Sequence, residues 1–207
     1  MAENYGYYAG GKQWQRDISL RLIDQAIACK AKTLLVPECG HAYNALRWEE
    51  ADLYGKPLPF KVRHVTEFLA DELQAGRLKL ARAAPGKATF QDPCELVRKG
   101  GVKDAPRTLM KAMGIELNEL EDHGGFAFCC GGGGGVVDIE RAAPLRYRAM
   151  EIKLREIDRT GAETFLTSCS DCRRTFDDAK AHFGWKNSPH SLLELVANNL
   201  SGAENRT

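Results

Sequence analysis

Short apolar runs alternate along the chain with longer stretches whose apolar residues recur about every 3.6 positions. The short runs lie at 33–36 (TLLV), 60–62 (FKV), 88–91 (ATFQ), 126–128 (FAF) and 164–167 (TFLT), and predict strands. The amphipathic stretches 14–28, 65–73, 139–157 and 192–200 predict helices. Alternation of this kind predicts an α/β fold with parallel strands. Gly76 and the APGK of 84–87 interrupt the pattern and place a boundary near 76–87, dividing the chain into residues 1–80 and 81–207.

The pattern also repeats. AKTLLVPEC begins at Ala31 and AETFLTSCS at Ala162, and each is followed by a helical segment with a similar close, TEFLADEL from Thr66 and LELVANNL from Leu193. Aligned without gaps at the strand, Glu38 falls on Cys169 and His41 on Cys172. With the closing patterns aligned instead, His64 and His190 miss each other by one. This reads as a duplication whose first copy has lost its C-x2-C.

Composition narrows the class. The 207 residues are 43% apolar and 28% charged, enough for one large or two small domains with a real core. A net charge of +1 offers no electrostatic case for nucleic acid or an anionic membrane as partner. No apolar run has the length of a membrane span, and MAENYGYYAGGK does not read as a targeting peptide. The expected location is the cytoplasm, or the cytoplasmic face of a membrane complex through a partner.

Seven cysteines, at 29, 39, 94, 129, 130, 169 and 172, are an odd number and argue against a disulfide framework. Five form C-x34-CC-x38-C-x2-C, and each piece follows a predicted strand: Cys94 after ATFQDP, Cys129 and Cys130 after FAF, Cys169 and Cys172 after TFLT. Ligands gather at the carboxyl ends of parallel strands, so three loops would bring five thiols to one edge. The C-x2-C opens a helical pattern, SDCRRTFDDAKAHF, whose N-terminal amides favour thiolates. The five glycines after Cys130 would let bare backbone approach inorganic sulfur and present a nest of N–H groups, with Gly131, Gly132 and Gly133 nearest. A structural zinc takes four ligands, usually from two compact pairs. One compact pair, an adjacent pair and a fifth cysteine point instead to an iron–sulfur cluster. A zinc-stabilised interaction module remains the alternative outside redox chemistry.

The set DPC…FCCGGGGG…TSCSDC resembles the CCG domain found in heterodisulfide reductases and their relatives. The resemblance covers residues 88–200, and residues 5–73 resemble the tail of a preceding, degenerate CCG repeat. PECGHAYNALRW and SCSDCRRTFDDAKAHFGW are most similar to the heterodisulfide-reductase-like iron–sulfur subunit of the membrane complex associated with dissimilatory sulfite reductase. The resemblance implies two pseudo-repeated Rossmann-like units with parallel strands, the first truncated and degenerate. It implies a noncubane [4Fe–4S] cluster on Cys94, Cys129, Cys130, Cys169 and Cys172, reducing disulfide or trisulfide sulfur in one-electron steps. Implied partners are ferredoxin-like or membrane redox subunits and a cysteine-bearing sulfur carrier or disulfide substrate. Relatives that serve flavin-dependent lactate or glycolate oxidation imply a second reading, an electron relay. Nothing like the ferredoxin pattern C-x2-C-x2-C-x3-C-P occurs, and the chain opens inside the first repeat, as a piece of a longer subunit would. Gln91 and Ser170 stand where many relatives carry His and Pro.

Of the remaining candidates, Cys39 and His41 are expected on a wall opposite the cluster, facing substrate. Cys29 is expected in the core, His190 at the start of the last helix beside the cluster, His123 and His182 on the surface. Arg173 and Arg174 are expected to offset cluster charge or to face solvent.

Overall fold

The computed structural model describes residues 11–83 and 86–201. The N-terminal stretch read as no leader, and part of the 84–87 interruption, lie outside the described residues. The first half runs α1 (Lys12–Ala28), β1 (Thr33–Val36), α2 (Gly40–Asn44), a π-helical turn (Ala45–Glu49), α3 (Glu50–Tyr54), β2 (Lys61–His64) and α4 (Val65–Gln74). The second runs β3 (Lys87–Gln91), a π-helical turn (Glu95–Lys99), α5 (Asp104–Ala112), β4 (Glu116–Leu117), α6 (Ala143–Arg159), β5 (Thr164–Thr167), α7 (Ser170–Phe183), β6 (Pro189–Ser191) and α8 (Leu192–Asn198).

The strands form two sheets, β1-β2 and β4-β3-β5-β6, and every pair within them is parallel. The expected α/β fold with parallel strands is therefore present. Strands β3 and β5 are almost wholly buried, as strands covered on both faces must be. Successive residues of β5 serve opposite faces: Phe165 packs with Met150, Leu154 and Phe176, Leu166 with Phe90, Met110 and Leu192. Helices α6 and α7 thus cover one face, α5 and α8 the other.

The FAF run is not a strand. Residues Gly124–Phe126 form a 3-10 turn, and the two glycines ahead of Phe126 favour that turn over a pleat. Strand β4 takes the sheet edge beside β3, and the 124–130 segment crosses the strand ends, leaving Phe126 88% exposed. Cys29 is exposed rather than in the core, because α1 ends at Ala28 after its buried face of Ile23 and Ala26.

Residues 12–74 and 143–198 share the order helix, strand, helix, strand, helix. Helices α1 and α6 are 17 residues each, and each is followed by a four-residue strand and a helix capped by cysteine. The cap residues are Cys39 for α2 and Cys169 for α7, with nearly the same backbone, φ −142° and ψ 101° against φ −142° and ψ 122°. Cys39 therefore corresponds to Cys169 and Ala42 to Cys172. The ungapped alignment is one residue off because two residues separate β1 from its cap and one separates β5 from its cap. Likewise His64 and Ser191 cap α4 and α8, each with Glu three positions on, which accounts for the one-residue miss between His64 and His190.

The halves are interlocked. Leu96, Val97 and Val102 of the second half pack into the core formed by Ile23, Val36, Leu46 and Phe60 of the first. No helix among the described residues is long and apolar enough to cross a membrane.

Candidate metal–sulfur site

The ends of β3 and β5 deliver three of the five thiols and a crossing segment brings the other two. Cys94 sits two residues after Asp92, and Cys169 caps α7 so that Cys172 lies on its first turn. The 124–130 segment is clasped to the end of β3. Gln91 Nε2 donates to the Phe128 carbonyl at 3.1 Å, and the Gly124 amide donates to Asp92 Oδ2 at 2.7 Å. Arg107 closes this clasp with both terminal nitrogens on Asp92, at 2.9 and 2.8 Å, and its Nε on Glu119 at 2.6 Å. Arg98 adds a bond to the Ala127 carbonyl at 3.3 Å.

The five thiols meet. Cys94 Sγ is 3.4 Å from Cys129 Sγ, and Cys130 Sγ is 3.3 Å from Cys172 Sγ. Cys169 contacts Cys172. Cys130, Cys169 and Cys172 are buried, while Cys94 and Cys129 are half-buried, so the group has a closed end and an open end. A small pocket of about 10 Å³ is lined by Cys94, Cys130, Cys169 and Cys172 together with Gly40, His41, Glu95 and Gly133.

One backbone amide is hydrogen-bonded to these sulfurs among the described residues: Gly131 N donates to Cys129 Sγ at 3.3 Å. Contact with Cys130 and Cys94, the Gly131 amide and the charge of Arg98 hold Cys129 toward its thiolate. Contact with the Cys172 thiol, with a lesser effect of the nearby backbone of Cys172 and Gly40, brings Cys169 down to about 7 against the effect of burial. Contact with Cys129, then burial, pushes Cys94 up, and contact with the other sulfurs raises Cys172. The metal-free site thus divides its protons unevenly, as a set of mutually close thiols must.

Three glycines after Cys130 differ in role. Gly131 has φ +80°, a conformation that favours glycine. A methyl group on Gly132 would overlap Thr175 Oγ1, and one on Gly133 would overlap His41 Cε1. At these two positions bare backbone is required by a neighbouring helix and a neighbouring imidazole, both of them protein.

His41 is 8% exposed, lines the pocket and lies 3.9 Å from Glu95 Oε1, which also takes Lys99 Nζ at 2.7 Å. Cys39 is not among the lining residues; its sulfur accepts the Ala42 amide at 3.4 Å and it packs against the first core. His190 is exposed on β6, one residue before the cap, and does not reach the site. His123 and His182 are exposed, the latter stacked on Tyr147 at 3.7 Å. Arg174 pairs with Asp138, and Arg173 with Glu38 and Glu194. Sequence reasoning missed Gly40, Glu95, Asp92 and Arg107; the acidic DPC context was visible, the tertiary partners were not.

The donor set fits an iron–sulfur group. Five cysteine sulfurs, soft ligands when deprotonated, suit it chemically, and they lie in mutual contact at one place. Among the described residues no three Cys, His, Asp or Glu side chains already surround one ion-sized point.

A parallel α/β scaffold that gathers cysteines at its strand ends defines a cysteine-rich, cofactor-holding class of domain. Residues 88–177 match the cysteine-rich domain CCG, so the chain carries a domain of that family. A component of the dihydromethanophenazine:CoB–CoM heterodisulfide reductase of Methanosarcina barkeri is 32% identical over 178 residues, 85% of this chain and 43% of that protein. The EtfAB:quinone oxidoreductase of Syntrophomonas wolfei is 34% identical over 143 residues, 67% of this chain and 20% of that protein. The Hdr-like menaquinol oxidoreductase iron-sulfur subunit 2 of Archaeoglobus fulgidus is 23% identical over 172 residues, 79% of this chain and 31% of that protein. The chain spans less than half the length of each of these relatives.

Proposed function

We propose that the chain is an iron–sulfur redox unit of a larger oxidoreductase, with Cys94, Cys129, Cys130, Cys169 and Cys172 holding a noncubane [4Fe–4S] cluster. The observation that supports this most is the meeting of five thiols from three separate loops, four of them lining one pocket. Bound there, the cluster supplies electrons one at a time, which a dithiol alone, working by two-electron exchange, does not. The residues set the rest. The open end at Cys94 and Cys129 is where a disulfide or trisulfide sulfur, or a carrier protein's cysteine, enters. His41 forms the facing wall within the pocket, while Cys39 is assigned to capping α2. Reducing a disulfide to two thiols consumes two electrons and two protons, and His41 is the side chain placed to hand a proton to the leaving sulfur. Ferredoxin-like or membrane redox subunits would supply the electrons.

A second reading is favoured by the 34% identity to a quinone oxidoreductase: an electron relay between a flavoprotein and quinone, with no sulfur substrate. Anaerobic preparation tests the shared core of both. About four irons and four sulfides per chain are expected, with each of the five Cys→Ala variants impaired in assembly; stoichiometric zinc without acid-labile sulfide overturns it. Reduction of a disulfide substrate by the loaded complex, lowered by His41→Ala at unchanged iron content, separates the first reading from the relay.

A further inference from the structure

The amino ends of β1 and β2 carry a surface that the redox role does not use. Lys32 and Lys61 stand side by side there, the Lys61 amide donating to the Lys32 carbonyl at 3.0 Å, and Lys30 lies just past the end of α1. The three lysines rim a trough of about 570 Å³ whose apolar lining is Ile27, Leu58 and Phe60. Through Leu58, Phe60 and Lys61 it continues into a second trough of about 490 Å³, which adds Arg47 and Arg63, with Glu67 as its carboxylate. Gly40 and His41, which line the thiol pocket, follow the carboxyl end of β1. The length of that strand, roughly 13 Å, thus separates the trough from the thiol end of the sheet.

A net charge of +1 conceals this local excess. Among the described residues the lysines that hold ion pairs are Lys99 and Lys153, and no carboxylate pairs with Lys30, Lys32 or Lys61, all three of them exposed. Lys30 is also unusual in its backbone. Its φ is +53°, and every other described residue with φ in the left-handed region is a glycine. A side chain there is strained, and glycine is the residue that ordinarily fits the turn after a helix end. A cation within the last turn of α1 would meet the helix dipole without strain, yet that turn holds none. Attraction to the helix end therefore does not account for a lysine at this position; an ammonium group at the mouth of the trough does.

We propose that this trough docks an acidic, partly apolar segment of a partner polypeptide, which anchors the chain in a larger assembly without covering the thiol pocket. Charge complementarity selects the partner. Three ammonium groups without ion-pair partners among the described residues call for carboxylates, and the lining of Leu58, Phe60 and Ile27, the last 39% exposed, calls for apolar side chains between them. A trough with an apolar lining suits a chain segment, whose side chains enter it; a flat layer of lipid headgroups does not fill it. The two troughs share no lining residue with the thiol pocket, so the partner held here positions the unit rather than reduces it. The proposal stands apart from the cluster reading for the same reason.

The test uses the full, metal-free chain and a fluorescein-labelled peptide of alternating glutamate and leucine, followed by anisotropy at low ionic strength. Saturable binding is expected, weakened by added salt as screening of exposed charges requires. Lys32→Gln and Lys61→Gln should each weaken it by roughly 1.5- to 5-fold, the scale of one exposed ion pair. Lys30→Gly carries the sharper expectation: a raised Tm, because the strain at φ +53° is relieved, together with weaker peptide binding. A lysine that serves only the fold does not move these two quantities in opposite directions. No saturable binding, binding indifferent to all three substitutions, or equal binding of a glutamate–serine peptide overturns the proposal, as does a Tm lowered by Lys30→Gly. Binding of phosphatidylserine vesicles in place of the peptide makes the surface a membrane contact and overturns the polypeptide as its occupant.

Discussion

Gly132→Ala is the sharpest perturbation available at the site, because the added methyl has nowhere to go. Gly132 does not have a positive φ, so backbone strain plays no part, and any cost comes from contact. The methyl would overlap Thr175 Oγ1 and lie 2.8 Å from Thr175 Cβ and 2.9 Å from its Cγ2. Side-chain carbons need roughly 3.5–4.0 Å, so the cysteine-pair loop and α7 must part by at least about half an ångström. Thr175 cannot swing aside freely, since it is 1% exposed and its hydroxyl donates to the Asp171 carbonyl at 2.7 Å. Overpacking of this sort costs about 1–3 kcal/mol, a fall in Tm of roughly 2–12 °C for a chain of this size. The parting also separates Cys130 from Cys172, which lies three residues before Thr175 on the same helix.

The assay is a double-mutant cycle on the reduced, metal-free chain, with thermal melts for Gly132→Ala, Thr175→Gly and the pair. Thr175→Gly removes all three opposing atoms. The pair should be less destabilised than the sum of the singles by an amount in the range of about 0.5–3 kcal/mol seen for contacting residues. Iron retained after anaerobic loading should fall in Gly132→Ala and recover in the pair. Additive melting, or full iron occupancy in Gly132→Ala, would refute the reasoning that this glycine exists to seat the loop on α7.

Burial, which leaves His64 fully inaccessible, lowers its pKa from 6.5 to about 4. The unfolded chain takes up the proton first as pH falls, so this contribution is full above pH 6.5 and is lost as pH drops through 4. The 2.5-unit difference is worth roughly 3 kcal/mol, and His64→Asn, which can still cap α4, should flatten the acid limb of urea-derived stability; an unchanged limb would exclude His64 as its cause. Arg107→Ala leaves the fully buried carboxylate of Asp92 with the Gly124 amide as its remaining charge-compensating contact, and is expected to cost about 3 kcal/mol in urea unfolding. A loss below 0.5 kcal/mol, the scale of an ordinary surface pair, would show that the clasp on the 124–130 segment is held by Gln91 instead.

The strand TFLT is legible in the sequence because a parallel strand buried on both faces reads as a short continuous apolar run, and TLLV carries the same run although Thr33 and Leu35 are exposed. Strand β6, Pro-His-Ser, carries no such signal, and β4 is two residues long; both exist because a parallel neighbour offers its edge. FAF carried the right composition but the wrong neighbours, since Gly124 and Gly125 precede it and Phe126 ends exposed. The five cysteines could be singled out by spacing alone, because each piece follows a strand or a segment tied to one. Their surroundings could not. Asp92 is visible beside Cys94, but Arg107 reaches it from 15 residues away, and Gly40 and His41 line the pocket beside Cys169 from the other half of the chain.

The one-residue error in matching the halves explains why Cys39 and His41 looked alike in the sequence and separate in the structure. On the ungapped alignment His41 replaced a cysteine and Cys39 was incidental. The cap geometry reverses this: Cys39 stands where Cys169 stands, with nearly the same backbone angles, and Ala42 stands where Cys172 stands. A cysteine without its partner cannot chelate as a pair, and Cys39 lies against the first core. His41, one residue earlier on the helix turn than that vacated position, falls instead on the face toward Gly133 and the pocket. The imidazole thus comes to the thiols from a helix that keeps the cysteine cap of its counterpart and turns a different side chain toward the site.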